Sequence, residues 1–216
     1  MSKKIYIEGN IAAGKSTFLA ILSKYKPEIT PIFEPLDDWK ATTDNNGKNI
    51  LDYFYSDPIR NGYMFQNYAF LTRVRRIKEN EASKNPLYIE RSVYSDKNVF
   101  AINCHESKQM NDIEFNLYNK WFDWLSNEME MSPTAYIYLR CEPEIAYNRL
   151  EKRCREEETS VHLSYLKQLH DKHEKWLKSP NQIVPVLILD ASLDFIHDKN
   201  VIEKMIEQIN LFEASL

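Results

Sequence analysis

The chain is poor in glycine, in cysteine and in unbroken apolar sequence, and each shortage narrows what it can be. Four glycines occur in 216 residues, which excludes collagen-like or Gly-rich low-complexity sequence and makes the retained glycines informative. Three cysteines, Cys104, Cys141 and Cys154, are an odd number and form no C-x-x-C pair. A disulfide framework and a Cys-rich zinc site are therefore excluded, and a reducing compartment is expected. No apolar run approaches the roughly 18 residues of a membrane span. Met1-Ser2-Lys3-Lys4 leads directly into a strand-like run, which leaves no room for a signal or transit peptide. A cytoplasmic location without a membrane partner is the expectation. A strong excess of one charge is missing too: 28 Lys and Arg against 32 Asp and Glu give −4. A nucleic-acid polymer is not expected as partner, because that needs a basic footprint.

What is present is an ordinary globular mixture, 43% hydrophobic and 28% charged, in a length that suits one domain over residues 1–216. Short apolar runs at Ile5–Ile7, Ile29–Phe33, Leu87–Ile89, Ala135–Leu139 and Val184–Leu189 predict five strands. Between them, helical spacing predicts helices over Lys15–Lys24, Arg60–Glu81, Glu114–Met131, Glu144–Arg153 and Leu163–Leu177, with a final amphipathic helix from Val201 to Phe212. Asp37 to Gly47 is polar and reads as a loop, with Asp44-Asn45-Asn46-Gly47 as a turn or mobile loop. Strands alternating with helices predict an α/β fold with a five-stranded parallel sheet flanked by helices. Such sheets bind ligands at the carboxyl ends of their strands, so the polar residues that follow each strand are the candidates for function.

Gly9-Asn10-Ile11-Ala12-Ala13-Gly14-Lys15-Ser16 matches G-x-x-x-x-G-K-[ST] and has the required strand before it and helix after it. In such a loop the backbone N–H groups cradle phosphates, Lys15 reaches the outer phosphates and Ser16 is a ligand for Mg²⁺. The motif implies a nucleotide site without choosing a reaction. A GTPase would need N-K-x-D after a strand; Asn119-Lys120-Trp121-Phe122-Asp123 has the wrong spacing and lies in a helical pattern. A motor ATPase would need a longer acidic strand and partner-facing elements. A small-molecule kinase remains.

Glu34 follows the second strand, where a carboxylate can accept a hydroxyl proton. Glu90 follows the third, at the position from which a carboxylate holds Mg²⁺, and Arg91 beside it can steady Glu34 or a reacting oxygen. Arg149, Arg153 and Arg155 sit at helical spacing before Glu156-Glu157-Glu158, which suits a lid at about 149–162 that clamps a transferring phosphoryl group. Gln66 can read a base edge, and Trp39, Phe54, Phe65 and Phe100 can stack on a base. His170 and His173, three residues apart in a charged segment, read as solvated histidines.

Together these segments resemble the deoxyribonucleoside kinase family, in its deoxycytidine and deoxyguanosine kinase branch. The pieces occur in order from Lys3 to about Phe212: Gly9 to Phe18, Glu34-Pro35 with Trp39, Phe65-Gln66-x-Tyr68-Ala69, Glu90-Arg91-Ser92-Val93-Tyr94-Ser95-Asp96, Arg149-x-x-x-Arg153-x-Arg155-x-x-Glu158, and Tyr165-Leu166 before Leu169-His170. The resemblance implies a P-loop kinase fold with an Arg-rich lid. It also implies transfer of the γ-phosphate of ATP, or another nucleoside triphosphate, to a deoxynucleoside 5′-hydroxyl with Mg²⁺. Glu34 would be the general base and Arg91 would position the hydroxyl. Lys15, Ser16, Thr17 and Glu90 would serve donor phosphates and metal. Tyr55 and Glu158 would read the 3′-hydroxyl. Gln66, Arg73 and Asp96 would read the base, within walls made by Ile11, Trp39, Leu51, Phe54, Phe65 and Phe100. Asp194-Phe195 would hold the donor base. A homodimer packed through Asn61–Asn80 and Glu114–Met131 is implied as well. A methyl group on the base would meet an Arg73–Asp96 pair, so deoxycytidine and purine deoxynucleosides are expected as substrates, with thymidine poor. The alternatives are a nucleoside monophosphate kinase of the thymidylate kinase type, a thymidine-preferring deoxynucleoside kinase and a non-catalytic nucleotide-binding module.

Overall fold

Five short apolar runs become the strands of one parallel sheet. A computed structural model of the chain describes residues 2–155 and 158–216. Glu156 and Glu157, part of the expected lid, lie outside the described residues. Along the chain the elements are β1 (Lys4–Glu8), α1 (Lys15–Tyr25), β2 (Thr30–Ile32), α2 (Leu36–Ala41), α3 (Ile50–Ser56), α4 (Pro58–Glu79), β3 (Leu87–Glu90), α5 (Val93–Ser95), a π-helical segment (Asp96–Ala101), α6 (Ile102–Glu106), α7 (Asp112–Glu128), β4 (Ala135–Arg140), α8 (Pro143–Arg153), α9 (Leu163–Leu177), β5 (Val186–Asp190) and α10 (Lys199–Ala214).

The five strands run in the order β2-β3-β1-β4-β5 and every pair is parallel, as expected from the alternation of strands and helices. β1 and β3 are buried along their whole length, whereas β5 at the sheet edge is largely half-buried or exposed. Successive side chains feed opposite faces. Ile5, Ile7, Ile137 and Leu139 pack with Phe18 and Leu22 of α1 and with Met205 and Ile209 of α10. Tyr6, Tyr136 and Tyr138 pack on the other face with Phe65 and Phe70 of α4 and with Tyr118 and Phe122 of α7. The connection after β1 runs to β2 at one edge of the sheet, and the connection after β3 runs the other way, past β1 to β4. The crevice at the end of β1 is therefore the switch point of the topology.

Local chemistry sets the helix starts. Asn49 and Asp52 cap α3 reciprocally, Asp57 accepts a bond from the Arg60 N–H at 3.1 Å before Pro58 opens α4, and Asn111 and Glu114 cap α7 reciprocally. Asp44–Gly47 is a turn, closed by the Gly47 N–H on the Asp44 carbonyl at 3.1 Å. Two sequence expectations need correction. Leu36–Ala41 is helical, where a polar loop was expected, since Trp39 inserts into the core and orders the segment. His170 and His173 are buried, not solvated, because α9 turns that face toward the sheet. There the His173 ring stacks on Tyr138 at 5.9 Å, with ring planes 4° apart.

Candidate active site

A cleft of about 840 Å³ opens at the carboxyl ends of β1, β2 and β3, and most of the candidate residues line it. The loop between β1 and α1 forms one wall. Its backbone needs glycine at two places. Gly9 has φ +151°, and a Cβ there would lie 2.7 Å from the Leu139 carbonyl oxygen. Gly14 has φ +93°, and a Cβ there would lie 2.8 Å from the Phe195 ring. Lys15 Nζ donates to the carbonyls of Gly9 at 3.2 Å and Asn10 at 2.8 Å. Burial, assisted by the positive charge of Arg91, pulls its pKa down to about 7. Ile11, Ala12, Gly14, Lys15, Ser16 and Thr17 face the cleft, while Gly9, Asn10 and Ala13 build the loop behind it. The Asn10 side chain anchors that loop to α9 through the Leu166 carbonyl at 2.8 Å.

The carboxylates after β2 and β3 converge on this loop. Ser16 Oγ donates to Glu90 Oε1 at 2.7 Å. Glu34 Oε1 accepts from Arg73 Nη2 at 3.0 Å and from Arg91 Nε at 3.2 Å. Burial pushes the Glu34 carboxyl up, but Arg91, Arg73 and Lys15 together outweigh it and hold the pKa at about 2. Arg73 also grips Asp96 twice, Nε to Oδ2 at 2.8 Å and Nη2 to Oδ1 at 3.2 Å, and donates from Nη1 to the Glu90 carbonyl at 3.2 Å. The expected Arg73–Asp96 pair is therefore present. Its tie to Glu34 was not expected.

Beyond Glu34 the cleft becomes aromatic. Phe54 and Phe65 stack at 4.7 Å, Trp39 meets Phe65 edge-on at 5.4 Å, and Trp39 is oriented by its Nε1–H bond to Thr72 Oγ1 at 2.9 Å. Leu51, Ala69 and Phe100 complete this end of the cleft. The Arg91 guanidinium lies 4.5 Å from the Phe100 ring centroid. Gln66 lines the same region at 1% exposure, so its amide belongs to a buried polar site and not to a solvated helix surface.

At the opposite rim the arginines adopt two different arrangements. Arg149 lies on α8 and donates to the carbonyls of Ala191 at 2.7 Å and Leu193 at 3.3 Å. Arg153 pairs with Glu158, and Arg155 reaches the same carboxylate at 3.4 Å. The common helical spacing is corrected for Arg155. The helix ends at Arg153, and Cys154 takes a left-handed backbone with φ 49°, so Arg155 lies beyond it. Tyr55 also lines the cleft, near the Glu158 charge. Asp194 faces the cleft and accepts N–H bonds from Ile196 and His197 at 3.2 and 3.1 Å. The Phe195 side chain is buried beneath the loop against Gly14 and Phe18.

Tyr165, Lys152 and His197 line the cleft without having been singled out for a role in the sequence. Lys152 stands between Arg149 and Arg153 in the basic run, and that neighbourhood was its available signal. Tyr165 stood in the Tyr165-Leu166 piece of the family resemblance without a role, because α9 reaches the cleft only through the tertiary fold.

The family model for deoxynucleoside kinase matches residues 5–213. A probable deoxycytidine kinase of fowlpox virus is 41% identical over 99% of this chain and 89% of its own length. The deoxycytidine kinase of Homo sapiens is 39% identical over 99% of this chain and 92% of its own length. The mitochondrial deoxyguanosine kinase of Xenopus laevis is 33% identical over 99% and 91%. A match that spans the phosphate loop, the Glu34 and Glu90 strand ends and α9 covers every element that builds the cleft, and the chain belongs to the deoxynucleoside kinase family.

Proposed function

We propose that the protein transfers the γ-phosphoryl group of ATP, or another nucleoside triphosphate, to the 5′-hydroxyl of a deoxyribonucleoside in nucleotide salvage. The observation that carries this reading is the convergence of one ionised carboxylate, Glu34, with Arg91 and Arg73 in the same cleft as the phosphate loop. The donor phosphates lie along the loop, with Lys15, Thr17 and the α1 N-terminus toward them. The paired Ser16 hydroxyl and Glu90 carboxylate have the hard oxygen chemistry that suits Mg²⁺ and would hold it. When bound, the ion neutralises charge on the phosphates.

The nucleoside lies with its base between the aromatic walls and its 5′-hydroxyl toward Glu34. The 5′-oxygen forms a bond to the γ-phosphorus as the bond to the β–γ bridging oxygen breaks, leaving the nucleoside diphosphate. Glu34 takes the hydroxyl proton. A carboxylate with a pKa of about 2 is a weak base, so transfer comes late, once bonding to phosphorus has acidified the attacking oxygen. A loose phosphoryl-transfer transition state allows this order. Arg91 orients the hydroxyl. Arg149, Arg153 and Arg155 act as a lid that stabilises charge on the transferring group. Tyr55 and Glu158 read the sugar 3′-hydroxyl. Gln66, Arg73 and Asp96 read the base, favouring deoxycytidine and purine deoxynucleosides over thymidine.

Residues 1–216 work as one kinase domain. The protein acts as a cytoplasmic homodimer that packs α4 and α7, whose Leu71, Trp121 and Trp124 are exposed. Among the described residues no helix is long and apolar enough to cross a membrane. A nucleoside monophosphate kinase has no use for a carboxylate at Glu34, where the acceptor's own phosphate would sit. The deciding experiment separates products by thin-layer chromatography after incubation with labelled ATP and each deoxynucleoside or deoxynucleotide. Label in deoxynucleoside monophosphates is expected. Label only in diphosphates would overturn the reading.

A further inference from the structure

Glu8 ends β1 immediately before the phosphate loop and is fully buried. Its Oε1 accepts the Ser92 N–H at 2.9 Å, and its Oε2 has no hydrogen-bond partner among the described residues. Burying an ionised carboxylate is costly, and a neutral amide would accept the same N–H bond without that cost. Burial pushes the Glu8 carboxyl up and Arg91 opposes that push, so a carboxyl group here calls for an explanation besides the hydrogen bond.

The neighbouring geometry supplies one. Arg91 has φ +64°, a left-handed backbone unfavourable for a residue with a side chain. It is bracketed by two bonds from β1: its own N–H donates to the Ile7 carbonyl at 2.9 Å, and the next N–H, of Ser92, donates to Glu8. Released from the second bond, the turn is free to relax toward negative φ and carry the guanidinium away from Glu34. Arg91 is itself buried, and its Nη1 has no partner among the described residues. Its Nε is held by Glu34 and its face rests on Phe100. The guanidinium opposes the upward push of burial on the Glu8 carboxyl, and by the same coupling an ionised Glu8 favours the guanidinium in place.

We propose that Glu8 is a positioning residue for Arg91, fixing its backbone turn by hydrogen bond and its guanidinium by charge, so that the strand that launches the phosphate loop also aims the arginine at the acceptor hydroxyl. This rests on the kinase reading given above.

The test is a double-mutant cycle on the full chain, using Glu8→Gln and Arg91→Ala with deoxycytidine and ATP, and recording kcat, KM and the melting temperature. Glu8→Gln is expected to lower kcat at least about tenfold, with the nucleoside KM changed less than about threefold. In the Arg91→Ala background the same substitution is expected to cost less than about twofold, since its target is gone. A wild-type kcat for Glu8→Gln, or an equal loss in both backgrounds, overturns the proposal. If Glu8→Gln does not fold, Glu8→Asp withdraws the charge by one methylene. A kcat loss of about threefold or more that disappears with Arg91→Ala then supports the proposal, and an unchanged kcat overturns it. A wild-type protein inactive on every deoxynucleoside overturns the kinase reading and this proposal together, whereas an active wild type with an unaffected Glu8→Gln variant overturns this proposal alone.

Discussion

Arg73 Nη2 lies 3.0 Å from Glu34 Oε1 while the same guanidinium grips Asp96 at 2.8 and 3.2 Å. The proposed base reader and the proposed proton acceptor therefore share one cation. Arg91 closes the group from the other side of Glu34 at 3.2 Å. Four charged side chains in a water-poor region form one network, in which moving any member moves the others.

Glu34→Gln keeps an oxygen for Arg73 and Arg91 but removes the proton acceptor. Turnover should fall by about 10²–10⁴-fold, the usual contribution of positioned acid–base help. Deoxynucleoside affinity, measured by fluorescence titration, should change little. Near-normal turnover would remove Glu34 from the role.

Asp96→Asn removes the charge that balances a buried Arg73, and breaking such a pair on one side costs about 3–5 kcal/mol. A markedly lower melting temperature is expected. Replacing both partners, as Arg73→Met with Asp96→Ala, removes the uncompensated charge and opens space for a methyl group, so thymidine should become a substrate. Because Arg73 also holds Glu34, the double variant should turn over deoxycytidine more slowly than the unaltered protein. A protein that already prefers thymidine contradicts this use of Arg73 and Asp96.

Arg153 and Arg155 share the Glu158 carboxylate at the cleft rim. If these arginines stabilise the transferring phosphoryl group, Arg153→Ala should lower kcat far more than it raises the Kd for ATP. A change confined to ATP binding, read from equilibrium titration beside steady-state rates, would make Arg153 a donor-binding residue only.

His173 is fully buried and donates from Nδ1 to the Leu169 carbonyl at 2.7 Å. Burial, with Arg91 nearby, holds its pKa well below the ordinary value. Below about pH 6.5 the unfolded chain takes up a proton that the folded chain refuses, so stability falls with pH by up to about 1.4 kcal/mol per unit. His173→Phe, which can occupy the same place against Tyr138, should flatten the melting temperature between pH 5 and 7. A slope identical to the unaltered protein would show that other groups set it.

The five strands and the long helices were legible because each is a local pattern: an apolar run such as Ala135–Leu139, or the spacing along Leu163–Leu177. The phosphate loop was legible for the same reason, since its donors and glycines are contiguous. The short helices α2 and α3, and the π-helical segment that carries Asp96, were not, because each is too short to show a period and is ordered by the aromatic core it supports. The histidines on α9 misled because a charged segment was read as one solvated face, while a helix can bury one side at full charge on the other.

By itself the sequence determined a phosphate-binding loop between a strand and a helix, an α/β sheet, and which carboxylates and arginines follow the strand ends. Backbone donors, helix period and strand alternation are properties of neighbours in the chain. The tertiary structure alone decided that Arg73 of α4 bridges Asp96 and Glu34, that Arg149 turns to the carbonyls after β5 while Arg153 and Arg155 meet Glu158, and that Phe195 supports the loop from beneath. These arrangements depend on distances between groups tens of residues apart, and only the packing of helices on the two faces of the sheet sets those distances.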